Sequence, residues 1–228
     1  MTPQRFKKLQ AILQRRQLDL TVLMDNVHKP HNLSAIVRSC DAVGVHHIHA
    51  VTNTKAFKTD KDITSGAGKW VNLHKHPGLD EAIAHLRGQG MQILAAHLSE
   101  DALDFRDVDY TQPTAIVLGT ELYGVSEMGL QLADQNIIIP MLGMIDSLNV
   151  SVAAALILFE AQRQRQAKGL YAQQQFDERT YHDTLFEWCH PKLAEFYRRK
   201  GLAYPAMDED GHILEDESHI RARLTGKC

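Results

Sequence analysis

Residues 137–153 read IIIPMLGMIDSLNVSVA, and this stretch decides the fold. Ile137, Ile138 and Ile139 form a short apolar strand that Pro140 stops. A near-continuous apolar run of this kind is a strand buried on both faces, as in a parallel sheet covered by helices. A loop containing Met141, Gly143 and Met144 follows, and LNVSVAAALILFEAQRQRQ then reads as one long helix. That helix is too apolar for a solvated surface. Its polar start at Ser147, Asn149 and Ser151 is therefore expected to be buried or at an interface, where polar groups need partners. Capping by Asp146 or Ser147 is the plainer alternative, but three polar positions exceed what one cap needs.

Outward from this stretch the alternation repeats. Residues 19–27, 46–51, 70–76, 91–98 and 114–119 read as strands. After the HKPHN turn, Asn32 is placed to cap a helix with apolar Leu33, Ile36, Val37 and Cys40, closed by Gly44. A second helix runs from Leu79 to Leu86, ended by Gly88 and Gly90, and GTELYGVSE leads into a short one that reaches about Ala133. Residues 52–69 read as a long polar loop. Phe6, Leu9, Ile12 and Leu13 mark an opening helix with a basic opposite face. The expected fold class is α/β: a mostly parallel core over 20–165, a basic N-terminal helical extension over 1–19 and a C-terminal extension over 166–228.

The 228-residue chain is 44% hydrophobic and 23% charged, enough to bury a core without disulfides or metal. Its net charge of −3 hides basic ends: Arg5, Lys7, Lys8, Arg15 and Arg16 precede the first acid, and Arg198, Arg199 and Lys200 lie near the other end. That asymmetry suggests local contact with a polyanion. The three cysteines include no C-x-x-C pair, which argues against a zinc ribbon or a thioredoxin-type site. No apolar run reaches the roughly 18 residues of a membrane span, and the N-terminus does not read as a signal peptide, so a cytoplasmic protein is expected.

Several common motifs fail. GTELYG at 119–124 lacks the middle glycine of a dinucleotide fingerprint, SGAGKW at 65–70 is not a P-loop, and no G-x-S-x-G occurs. His47 and His49 share a strand face, as do His74 and His76, but no ligand spacing supports a metal, and none is expected.

Three segments place polar residues at the carboxyl ends of strands, where open α/β sheets bind ligands. In HKPHNLSAIVR, Ser34 and Arg38 share a helix face; Arg38 could equally pair with Asp41 on a solvated surface. In IVLGTELYG, Gly119 and Gly124 bracket a tight loop carrying Glu121, which could instead favour a helix N-terminus. The third segment is the opening stretch itself.

Together NLSAIVR, LGTExxG and IPMxGxxxSLNVSVA resemble the three motifs of the SpoU branch of the SPOUT methyltransferases. The opening helix, the HKPHN turn, the QRQRQ helix exit and the C-terminal extension are most similar to the tRNA guanosine-18 ribose methylases within that branch. The resemblance implies a sheet whose C-terminal part forms a deep trefoil knot. It implies S-adenosylmethionine as methyl donor, the ribose 2′-hydroxyl of guanosine 18 in the tRNA D loop as acceptor, and a homodimer with its sites at the subunit interface. No further protein partner and no membrane are implied.

By motif match, Ile139, Met141 and Leu148 line the cofactor site, while Gly119 and the strand end from Ala96 to Leu98 flank the adenosine. Ser147, Asn149 and Glu121 shape the site; Asn32 and Arg38 reach the reacting ribose, Arg38 facing the partner's cofactor. A guanidinium is a poor base, so a phosphate held by Arg38 is the favoured proton relay. A helix starting at Ser147 would aim its positive end at an anionic group. Arg5, Lys8, Arg16, Arg163 and Arg165 are the expected phosphate contacts. A ribosomal RNA ribose, or another tRNA position, is the alternative acceptor.

Overall fold

The computed structural model describes residues 1–51 and 67–214. Most of the expected 52–69 loop, the tail from 215 and Cys228 lie outside the described residues. The described chain forms two compact units, residues 16–173 and residues 1–15 together with the chain from 174 onward. The flanks that the sequence suggested as separate extensions thus group together, with borders at 15/16 and 173/174 where 19/20 and 165/166 were expected.

The larger unit is built on seven parallel strands: β1 (Leu20–Asp25), β2 (His47–Val51), β3 (Asn72–His76), β4 (Gln92–Ala96), β5 (Leu103–Asp104), β6 (Thr114–Leu118) and β7 (Gln135–Ile138). Their order is β3-β2-β1-β6-β4-β7-β5, and every pairing is parallel. Successive side chains on a strand point to opposite faces, and both faces are covered here. Leu20, Val22 and Met24 of β1 pack with α2 (Pro30–Ala42) and α5 (Val150–Ala167). Leu23 faces the other way, with Ile93, Ala115 and Val117, toward α3 (Leu79–Gly88) and the short α4 (Glu127–Leu132). That double burial is why the central strands β1 and β6 read as unbroken apolar runs.

Three details depart from the sequence reading. Pro30 already occupies the first turn of α2, and Lys29 is the N-cap, without a side-chain cap bond. Asn32 therefore sits inside the helix, its amide free for other work. The long helix begins at Val150, and Asn149 caps it by accepting the Ser151 N–H at 2.8 Å. Its positive end thus lies three residues later than a start at Ser147 would put it. Finally, α5 is not enclosed: within one chain Val152, Leu156 and Phe159, three residues on one helix face, are 46%, 42% and 49% exposed.

The smaller unit contains α1 (Pro3–Leu13), α6 (Glu178–Cys189) and α7 (Pro191–Lys200). Phe6, Leu9 and Leu13 are buried as the periodicity predicts, whereas Ile12 is exposed. Phe186 stacks on Tyr204, centroids 4.7 Å apart, and meets Tyr197 edge-on. Gly211, at φ +82°, comes so close to Phe6 that a Cβ there would lie 2.4 Å from the ring.

Candidate active site

The carboxyl ends of β6, β4 and β7 open into a cleft of about 280 Å³. Leu118, Ile137, Ala153 and Ile157 give it apolar walls. All six residues expected at the cofactor line it: Ala96, Leu98, Gly119, Ile139, Met141 and Leu148. Ser147 and Glu121 line it too.

The loop after β6 is a tight ring. Thr120 and Gly124 exchange two backbone hydrogen bonds, each 2.9 Å. Gly124 has φ +69°, and a Cβ on Gly119 would lie 1.9 Å from the Gly124 carbonyl carbon. Asp25, buried at the end of β1, fixes the far side of this loop by accepting the Ser126 N–H at 2.8 Å.

On this ring Glu121 gathers three segments of chain. Its Oε1 accepts the Asn32 amide at 2.8 Å and the Asn149 amide at 2.6 Å. Its other oxygen is ion-paired to Lys29. Asn149 also donates to Asn32 Oδ1 at 3.2 Å. Glu121 is thus an acceptor hub and not a helix-terminus charge. A second cavity of about 600 Å³ lies beside it, lined by Asn26, Val27, His28, Lys29 and Asn32 and sharing Thr120–Tyr123 and Val150 with the first.

Sequence reasoning missed Lys29, Leu122 and Tyr123, whereas His97, inside the expected strand end 96–98, lines the cleft. Leu122 and Tyr123 are 78% and 81% exposed on the shared wall. Lys29 stands in the HKPHN turn, just ahead of the Pro30 that opens α2.

Arg38 is exposed on α2 and lines neither cavity, so one chain does not bring it to the Glu121 hub. It does not pair with Asp41, which is taken by Arg16 at 2.5 Å.

Two expected phosphate contacts are corrected. Arg16 is fully buried, bonding Asp41 and the Val45 carbonyl; burial lowers its pKa and Asp41 opposes that shift. Arg165 is also fully buried. It bonds Asp19 at 2.5 Å, Gln17 at 2.9 Å and the carbonyls of Asp19, Tyr110 and Gln112. Both guanidiniums satisfy backbone and carboxylate groups inside the larger unit, where no RNA can reach them. Arg5 and Lys8 are exposed on α1, and Arg163 is exposed beside Glu160.

Residues 19–159 match the model of the SpoU rRNA Methylase family, and residues 163–216 that of the SpoU rRNA methylase C-terminal region. The chain belongs to the SpoU methylase family. Among SpoU relatives, the tRNA (guanosine(18)-2′-O)-methyltransferase of Escherichia coli is 51% identical over 218 residues, 95% of each chain. The crystal structure of the Aquifex aeolicus TrmH/SpoU tRNA modifying enzyme superposes with a TM-score of 0.75 at 45% identity, covering 81% of this chain and 94% of that one. AviRb from Streptomyces viridochromogenes, a SpoU methyltransferase solved with AdoMet, gives a TM-score of 0.59 at 28% identity, covering 68% of this chain and 64% of that one.

The cleft suits such a ligand. Apolar walls can take an adenine ring, and the carboxylates of Glu121 and Asp146 on its lining suit a ligand that carries positive charge.

Proposed function

We infer that this protein transfers a methyl group from S-adenosylmethionine to the ribose 2′-hydroxyl of guanosine 18 in tRNA. The observation that carries the reading is the convergence of Lys29, Asn32 and Asn149 on Glu121, on the wall between two adjoining cavities. One cavity has the lining for the methyl donor; the other is open to a ribose. The similarity to guanosine-18 methyltransferases, over 95% of the chain, supplies the acceptor.

When bound, S-adenosylmethionine supplies an electrophilic methyl on a sulfonium. Ala96, Leu98, Gly119, Ile139, Met141 and Leu148 would hold it. A ribose hydroxyl is a poor nucleophile, so the protein's task is to place it in line and to help its proton leave. Glu121 fixes the orientation of the Asn32 and Asn149 amides, which can then hold the ribose edge. Arg38 clamps the adjacent phosphate through two parallel hydrogen bonds, and that phosphate relays the proton. Arg5, Lys8 and Arg163 contact phosphates further along the RNA.

The working form is a homodimer. Its support is the apolar row Val152, Leu156 and Phe159 on α5, together with Leu142 and Met144, which are 101% and 99% exposed. A second copy covering that row can bring its own Arg38 to this chain's donor cavity. The segment from β6 through α5 forms a trefoil knot, as the family resemblance implies. Among the described residues no helix is long and apolar enough to cross a membrane. The cytoplasm, where tRNA is processed, is the proposed compartment.

The test is methyl transfer from labelled S-adenosylmethionine to unmodified bulk tRNA, followed by mapping of the blocked ribose. Label at guanosine 18 is expected. Label appearing only in ribosomal RNA overturns the substrate assignment.

A further inference from the structure

The cavity open to the ribose carries one strong cation. Among the described residues, Lys29 is the only lysine or arginine lining either cavity. The other polar side chains around it are Asn26, His28, Asn32, Thr120, Tyr123 and the Glu121 carboxylate. A ribose within an RNA strand enters with two phosphates, one joined at its 5′ side and one at its 3′ side. Those charges repel Glu121 unless a cation stands between them.

The turn that ends β1 puts Lys29 in place. Asp25, 2% exposed, accepts the Asn26 amide at 2.9 Å, and Asn26 carries the chain through the left-handed region at φ +55°. Pro30 then opens α2 behind Lys29, whose side chain makes no cap bond. The lysine stem is thus left to the cavity, with its ammonium on Glu121 Oε2.

Glu121 does not depend on this pair for its position. Its Oε1 already accepts the Asn32 and Asn149 amides. The Lys29 side chain is 48% exposed, and an ion pair so open to water is weak and screened by salt. A lysine has three donors on a flexible four-carbon stem. It can therefore leave Oε2 for a phosphate oxygen while the two amides stay where they are.

We propose that Lys29 is a phosphate-binding residue of the acceptor cavity: Glu121 holds its ammonium in the free enzyme, and an RNA phosphate flanking the target ribose takes it over on binding. The inference rests on methyl transfer to tRNA as the activity. A second copy's Arg38 grips one flanking phosphate, and Lys29 takes the other. Contacts on both sides fix the sugar between them and leave its 2′-hydroxyl edge to the Asn32 and Asn149 amides.

A lysine that merely propped Glu121 would behave differently. Breaking the pair from either end would then have one and the same effect. A phosphate contact instead shows in the salt dependence, because each contact adds about one to the slope of log affinity against log salt.

Equilibrium binding of the full chain to unmodified tRNA over a salt series, without methyl donor, tests the assignment. Lys29→Met should weaken binding and lower the slope by about one, with an unchanged circular dichroism spectrum. Lys29→Arg should restore the slope. Glu121→Gln breaks the same pair but keeps the cation, so its slope should equal that of the unaltered chain even though turnover falls. An unchanged slope in Lys29→Met, or an equal loss of slope in Lys29→Met and Glu121→Gln, overturns the proposal. If the unaltered chain binds no tRNA, the methyl-transfer reading itself falls, and this assignment with it.

Discussion

Asn149 Nδ2 donates to Glu121 Oε1 at 2.6 Å across 28 positions of chain, and the same Asn149 caps α5 through its Oδ1. One side chain thus ties the start of the long helix to the loop after β6. Glu121 in turn accepts from Asn32, 89 positions earlier. No two of these residues are sequence neighbours, yet their geometry is mutually dependent.

Glu121→Gln should therefore damage the site more than the fold. The charge-assisted bonds to both amides and the ion pair to Lys29 are lost together. Each hydrogen bond to a charged group is worth about 1.5–3 kcal/mol, so turnover should fall about 10- to 150-fold. Single-turnover methyl transfer measures the loss, and thermal unfolding should move by only a few degrees. A large fall in unfolding temperature would make Glu121 a structural residue first.

Arg38→Lys keeps the charge and removes the fork. A bidentate grip on phosphate cannot be reproduced by an ammonium. Turnover on tRNA should drop at least tenfold while S-adenosylmethionine affinity, read by calorimetry, holds. Equal turnover would remove the two-bond clamp from the mechanism.

The basic residues should divide into two classes. Arg165→Met strands Asp19 and three carbonyls inside the larger unit, and should cost about 3 kcal/mol of stability. Lys8→Ala or Arg5→Ala should leave stability alone, weaken tRNA binding, and reduce the slope of log affinity against log salt by about one. Filter binding at a series of salt concentrations, beside denaturant unfolding, separates the two.

Acid should destabilise the larger unit through its histidines. Burial pushes His46 and His49 down to about 3. Between the ordinary value near 6.5 and that folded value, the unfolded chain binds a proton that the native chain refuses. Stability then falls as pH falls, by up to about 1.4 kcal/mol per pH unit for each such imidazole. His49→Gln should flatten urea-unfolding midpoints measured between pH 7 and pH 4.5. A midpoint that rises on acidification would contradict the burial of these rings.

The central strands were legible because a strand covered on both faces has a signature, an unbroken apolar run, that needs no partner to be read; the edge strand β3, NLHKH and largely exposed, was legible instead from its alternation. β5 was not: Leu103–Asp104 is a two-residue pairing on the edge, defined by β7 and not by its own pattern. The cleft lining was legible through the motif resemblance, since Gly119, Ile139 and Leu148 sit at strand and loop ends that the resemblance numbers one by one. Arg165 was misread for a physical reason. A sequence displays the donor but hides its acceptors, and here they lie 53 to 148 positions away. Asn32 was misread because it looks like a cap until Pro30 is seen to claim the first turn.

The loop from Thr120 to Tyr123 belongs to both cavities. A displacement of that loop cannot improve one binding event without altering the other. Thermodynamic reciprocity then requires that the factor by which methyl donor changes tRNA affinity equal the factor by which tRNA changes donor affinity. The product, lacking the transferred methyl and its positive charge, would feel that shared partition differently, so turnover itself can loosen the enzyme's hold on the finished RNA.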